Sequence, residues 1–159
     1  HPNCEKTGFC MSEQVSYGAP KLVESGEWAG WNTWGLGLDP FETLTGPYYL
    51  RFEADGTITS AVMPEAKHAN GGGNLHGGFL MTFADYALFA IAYPELKGGS
   101  AVTVGFNADF VAGGRVGVRL DCTGEVVRAT RSLLFVRGLM HQEGKVVFSF
   151  NGTLKRLGA

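Results

Sequence analysis

Gly77-Gly-Phe-Leu-Met-Thr-Phe-Ala-Asp-Tyr-Ala-Leu-Phe-Ala-Ile-Ala92 is the stretch on which the architecture turns. It reads as a helix over 77 to about 92, bounded by Pro94 a little beyond its end, and it is apolar almost all the way round. A helix of that kind must be covered on most sides. The cover lies on either side of it in the chain. Upstream, Tyr48–Glu53 and Thr57–Met63 are β-branched or aromatic runs joined by Ala54-Asp55-Gly56, a hairpin signal. Downstream of Gly98-Gly99, four further strands are expected at about 101–111, 115–128, 131–141 and 145–156. Their breaks at Gly113-Gly114, near 129 and at Glu143-Gly144 are short enough for an antiparallel meander. The economical arrangement is an α+β fold in which an antiparallel sheet curls around the long central helix and buries it.

The chain has 159 residues, enough for one domain with a sizeable core. Hydrophobic residues make up 45% and charged residues 18%, the latter below the roughly 25% of ordinary soluble domains. Disorder is thereby excluded, and an oligomer that covers apolar surface is expected. Thirteen Lys and Arg against 15 Asp and Glu give a net charge of -2, without the basic excess of a nucleic-acid or membrane-surface binder. The longest apolar run, Ala87–Tyr93, falls far short of the ~20 residues of a membrane span. The expectation is a cytoplasmic protein with no membrane or nucleic-acid partner.

Three regions are expected: residues 1–10 as a leader preceding Met11, 11–44 as an N-terminal segment, and 45–159 as the main domain. Trp28, Trp31 and Trp34, three apart, suggest one face of a short helix ended by glycines at 35 and 37. Cys4 and Cys10 fall in the leader. Cys122 stands alone on an apolar stretch and reads as a small buried hydrophobe rather than a nucleophile.

Asp85 is the one ionisable acid of the central helix. An unpaired buried carboxylate would cost several kcal/mol, so Asp85 must be hydrogen-bonded, open to a cleft, or functional. The loop Asn70-Gly-Gly-Gly-Asn-Leu-His-Gly-Gly78 leads into the helix start, where unpaired N–H groups favour an oxyanion. No Gly-Lys-Ser or Gly-Lys-Thr follows, so it is not a phosphate loop of the nucleotide-binding kind. His76 is a candidate base or a structural residue, and no second ligand stands at a spacing that would make a metal site. Gly77 and Asp85 are eight residues apart, about 12 Å along a helix at ~1.5 Å per residue. One reacting centre cannot use both from a single helix. Two such helices packed antiparallel about a twofold axis would set the Gly77 N–H of one chain beside the Asp85 of the other.

The pattern Asn70-x-x-Gly-x-Leu-His-Gly-Gly78, then six residues and Asp85, resembles the hotdog-fold acyl-CoA thioesterases of the phenylacetate-pathway and 4-hydroxybenzoyl-CoA thioesterase-like group. The resemblance extends loosely over residues 45–156, including Ala101-Val-Thr-Val-Gly-Phe-Asn107. It implies a hotdog fold and hydrolysis of an acyl- or aryl-CoA thioester to free acid and CoA, with no cofactor beyond the coenzyme A of the substrate itself. Asp85 is then nucleophile or general base, the Gly77 N–H polarises the thioester carbonyl, Asn70 orients that carbonyl or the water, and Thr103 positions the water or Asp85. It further implies a homodimer or homotetramer with the site at the dimer interface.

Gly78, Phe79 and Tyr86 are candidate substrate contacts, with core packing as the alternative for the aromatic pair. Five of seven arginines fall at 115, 119, 128, 131 and 137, opposed only by Asp121 and Glu125. Arg128 and Arg131, beside the strand break, are candidate anchors for CoA phosphates, against a solvated strand face. Thr130 stands where a Gly often precedes the basic residue. Two other readings remain open: a module that binds acyl-CoA without turnover, as carrier or sensor, and a hydratase or dehydratase on the same fold.

Overall fold

The structure is a computed structural model that describes residues 18–34 and 37–158. The leader, Met11, Cys4, Cys10 and Gly35 lie outside the described residues. In chain order the elements are β1 (Lys21–Leu22), β2 (Asn32–Thr33), α1 (Pro40–Thr45), β3 (Tyr49–Phe52), β4 (Ile58–Val62), a single 3-10 turn (Ala66–His68), α2 (Gly77–Leu96), β5 (Ala101–Phe110), β6 (Leu120–Ala129), β7 (Leu133–Gln142) and β8 (Lys145–Arg156). All eight strands form one antiparallel sheet in the order β1-β2-β3-β4-β6-β7-β8-β5.

The hairpin β3–β4 forms as its turn residues dictate. Asp55 accepts from the Thr57 N–H at 2.9 Å and from the Thr57 hydroxyl at 2.6 Å, and Gly56 takes the positive φ of 84°. Period-two alternation then turns Leu134, Val136 and Met140 of β7, and Phe148, Phe150 and Leu154 of β8, into one core with Phe83, Ala84, Ala87, Leu88 and Ile91 of α2. Cys122 lies in that core with no exposure, and burial pushes its thiol well above the ordinary range.

Four expectations need correction. The tryptophans do not share a helix face. Gly26 and Gly30, at φ of 84° and 85°, turn the chain into a β1–β2 hairpin, after which Trp31 is buried, Trp28 stacks on Tyr49 at 4.1 Å and Trp34 packs on Tyr86 and Tyr93. The central helix runs on through Pro94 to Leu96, because proline in a last turn forfeits a single hydrogen bond and Lys97, at φ 50°, ends the helix only afterwards. Nor is α2 buried on all sides: Gly78, Met81 and Asp85 are exposed, one open stripe at helical spacing. Finally, the last four strands are not a simple meander. β6, β7 and β8 follow one another, but β5 lies beyond β8 at the sheet edge and β4 pairs with β6.

The connection from β5 to β6 therefore crosses the end of the sheet, and the buried Gln142 clamps it. Its Oε1 accepts from the Arg115 N–H at 2.7 Å while its Nε2 donates to the carbonyls of Arg115 at 2.8 Å and Val118 at 2.7 Å.

Glycines on the strands let the helix approach the sheet. A methyl group at Gly152 would overlap the Leu88 side chain, and one at Gly124 would overlap Ile91 and the Arg137 carbonyl. Gly152→Ala is expected to cost about 1–3 kcal/mol by overpacking this seat. The check is the urea midpoint at unchanged slope, and a midpoint equal to wild type would show that Leu88 has room to move.

Candidate active site

Asp85 sits on the open stripe of α2, and its Oδ1 accepts a hydrogen bond of 2.6 Å from the Thr103 hydroxyl on β5. That length is typical of a hydroxyl held by a carboxylate. The sequence offered hydrogen bonding or exposure to a cleft as alternatives, and both apply. The cleft, of about 480 Å³, is lined by Gly78, Met81, Thr82, Asp85 and Tyr86 of α2, by Phe106 of β5, and by Asp39, Phe41 and Glu42 at the start of α1.

At the N-terminus of α2 the helix leaves its first N–H groups without intrahelical acceptors. His76 is the N-cap: its Nδ1 accepts from the Gly78 N–H at 2.9 Å, a structural use of the ring that leaves Nε2 facing outward from that bond. The Gly77 N–H has no hydrogen-bond partner among the described residues. A Cβ at Gly77 would meet the ring of the exposed Phe110 at 2.8 Å, so a side chain there would displace that ring. Asn70 spends its Oδ1 on its own loop, accepting from the N–H groups of Gly72 at 2.8 Å and Asn74 at 3.2 Å. That loop is then fastened to the β5–β6 crossing through Leu75 N–H to the Gly114 carbonyl at 2.9 Å.

Phe79 does not face the cleft. It is buried and stacks on His68 with ring centroids 4.0 Å apart. Tyr86 belongs to both core and cleft, 4% exposed, with a hydroxyl that has no hydrogen-bond partner. Of the five clustered arginines, three are engaged: Arg115 with Glu143, Arg119 with Asp121 and Arg137 with Glu125. Arg128, on β6, and Arg131, in the turn after it, are exposed and form no ion pair among the described residues. Among the described residues no cluster of three His, Cys, Asp or Glu could hold a metal ion, and no helix is long and apolar enough to cross a membrane.

Two residues were not anticipated, Glu42 on the cleft wall and His68 packed behind the start of α2. Glu42 reaches the cleft because Asp39 caps α1, accepting from the N–H groups of Phe41 and Glu42 at 2.9 Å each. Burial first, then the charges of Asp39 and Asp85, push the Glu42 carboxyl up to about 7. The Asp39-Pro40-Phe41-Glu42 run is a readable helix start, with Asp at the cap, Pro first and Glu third. His68 is buried between α1 and α2. Its Nδ1 accepts from the Glu65 N–H at 2.9 Å, so the neutral ring donates from Nε2 to the Thr45 carbonyl at 2.7 Å.

Residues 72–149 match the Thioesterase superfamily. The Pseudomonas aeruginosa protein named "Putative esterase PA0474" is 33% identical over 114 residues, 71% of this chain and 85% of that one. A mutant of the phenylacetic acid degradation protein PaaI from Thermus thermophilus is 33% identical, with 75% of this chain and 100% of that chain covered and a TM-score of 0.64. A Bacillus halodurans protein crystallised with CoA, 23% identical, shares the fold at a TM-score of 0.68 over 76% of this chain and 80% of that one. The chain belongs to the thioesterase superfamily, with a hotdog fold, and is a thioester hydrolase.

Burial lowers the proton affinity of His68. A histidine held neutral in the native state stabilises it fully above the unfolded value near 6.5, and that stability is lost as pH falls toward the lower native value. The stability difference between wild type and His68→Gln, from urea titrations at pH 8 to 5, should therefore shrink below about pH 6.5. A difference that is flat with pH would show that burial leaves the proton affinity of His68 unchanged.

Proposed function

We propose that the chain hydrolyses an acyl- or aryl-CoA thioester to the free acid and CoA, at a site shared between two subunits. The observation that carries this is the Asp85 carboxylate, presented on an open cleft and held by Thr103. A carboxylate so oriented is suited to accept a proton from water attacking the thioester carbonyl, or to attack that carbonyl itself. The unpaired Gly77 N–H at the positive end of α2 is the donor for the developing oxyanion. Asn70, through its remaining amide Nδ2, and His76, through Nε2, are assigned here as orienting groups for the carbonyl or the water.

Acyl binding falls to the apolar part of the cleft, Met81, Phe106 and the ring of Tyr86. The kinship with a phenylacetic acid degradation protein fits an aryl group there. Arg128 and Arg131, unpaired and exposed, are the side chains free to meet CoA phosphates through planar, bidentate hydrogen bonds. An assembly of two or more chains is supported by β5, an edge strand with Val102 at 42% and Val104 at 55% exposure. Pairing there would bring a second α2 alongside the first, as the spacing of Gly77 and Asp85 requires.

Asp85→Asn should leave the fold intact and lower kcat/KM on acyl-CoA esters by about 10²–10⁴-fold. Thr103→Val, which leaves the carboxylate without its tether, should lower it by about ten- to a hundredfold. The shared site has its own test. Asp85→Asn and Gly77→Pro are each inactive in this reading, yet mixed dimers contain one intact site, so co-refolding equal amounts should restore about a quarter of wild-type activity. No recovery in demonstrably mixed dimers would place both groups in one chain's site.

A further inference from the structure

Glu42 is the strongest feature that the hydrolytic reading leaves unused. It lies outside the matched residues 72–149, yet α1 places it on the wall of the cleft that holds Asp85. The titratable groups that face it come from every element around it: Asp39 from the start of α1, Asp85 and Tyr86 from α2, and Tyr48 from the strand side. None is a cation. The Tyr86 hydroxyl beside it is buried and unpartnered, so the same wall holds a polar group whose hydrogen bond is left for a ligand to make.

Two carboxyl groups on one partly dry cleft, with no cation between them, cannot both be charged cheaply. Asp85 accepts the Thr103 hydroxyl, the bond of a carboxylate acting as acceptor, while Glu42 retains its proton up to about pH 7. A carboxyl that retains its proton on the same cleft wall as one that accepts a hydrogen bond can serve as acid where the other serves as base.

We propose that Glu42 is the general acid of the reaction, the residue that protonates the departing thiolate while Asp85 handles the attack. The proposal rests on the reading of Asp85 given above. If Asp85 acts as base, the water oxygen bonds to the carbonyl carbon and a water proton passes to Asp85. The C–S bond then breaks with its electron pair on sulfur, and sulfur takes the Glu42 proton. Asp85 returns its proton through solvent to Glu42, which resets both groups. If Asp85 acts as nucleophile, its oxygen bonds to the carbonyl carbon, C–S cleavage again draws the proton from Glu42, and the resulting Glu42 carboxylate removes a proton from the water that hydrolyses the anhydride. Either way the coupling has the right sign. Loss of the negative charge on Asp85, by protonation or acylation, removes a like charge that holds the proton on Glu42, so the acid strengthens as the thiolate forms.

The experiment compares two thioesters of one acyl group. The first is the CoA ester, whose alkyl thiolate is basic and needs protonation. The second is the ester of a nitro-substituted thiophenol, whose thiolate leaves unaided. In Glu42→Gln the expected result is a loss of about 10²-fold in kcat/KM on the CoA ester at neutral pH, against less than about threefold on the arylthio ester. The wild-type profile on the CoA ester should fall as pH rises through about 7, the range in which Glu42 gives up its proton, and Glu42→Gln should lack that limb. Equal losses on both esters would reveal a structural role and overturn the proposal, as would an unchanged rate on the CoA ester or an alkaline limb that persists in the variant. Asp85→Asn, run in parallel, separates the two levels. Its inactivity on both esters supports the underlying reading whatever Glu42 does, and wild-type rates in that variant would overturn that reading and the proposal with it.

Discussion

The rotation of α2 about its own axis is the constraint on which the rest depends. Phe83, Ala84, Ala87, Leu88 and Ile91 are buried against the sheet, the larger of them worth about 1.5–3 kcal/mol each when taken from water. Gly124 and Gly152 provide the seats into which Ile91 and Leu88 descend, so the helix has one close fit rather than several. Because successive residues advance by about 100°, that fit leaves Gly78, Met81 and Asp85 outward on one stripe. A helix turned by one residue would bury the carboxylate and expose a Leu or Ala in its place. Asp85 is therefore positioned by the core beneath it, and Thr103 only trims its orientation.

The same logic governs the helix N-terminus, whose loop and cap are held by contacts elsewhere in the fold. Gln142 holds the β5–β6 crossing, the crossing holds Leu75, and Asn70 stiffens the glycine loop between them. His68 ties the end of α1 to the ring of Phe79 one turn into α2. These polar groups are satisfied within the fold, so the first turn of α2 is held without help from a ligand. The Gly77 N–H is left out of that network.

Most of this was legible where the signal is local. The Ala54-Asp55-Gly56 turn, the alternation of β7 and β8 and the glycine loop before α2 carry their conformations in a few adjacent residues. Asp85 was legible for a different reason: a lone acid in an apolar helix is a costly residue that demands an explanation. Where the outcome depended on distant partners, the chain was silent. Strand order is one such case, since β5 has the same pattern whether it sits beside β6 or at the far edge beyond β8. The open stripe of α2 is another, because a helix apolar all round has no period to say which side faces out. Phe79 and Tyr86 are equivalent in composition, and only the packing sends the first to His68 and the second to the cleft. The tryptophans misled because helical spacing is irrelevant once Gly26 and Gly30 bend the chain at positive φ. Glu42 had a readable local signature in the Asp39 cap, but its place on the cleft that holds Asp85 joins residues more than forty positions apart.

That shared cleft also shows why the site is built from elements far apart in sequence. A charged carboxylate interacts most strongly with its surroundings where water is partly excluded. Exclusion raises the cost of every further charge nearby, so a second carboxyl brought in by α1 keeps its proton. Had both acids come from one exposed helix face, solvent would screen them and each would ionise alone. Bringing α1 over α2 sets Phe41 opposite Phe106 of β5 on the cleft lining and adds the carboxyl group whose proton burial helps retain. The short N-terminal helix is thus part of the site's electrostatics as well as its shape, and its placement follows from the Asp39 cap at one end and the His68 bond to Thr45 at the other.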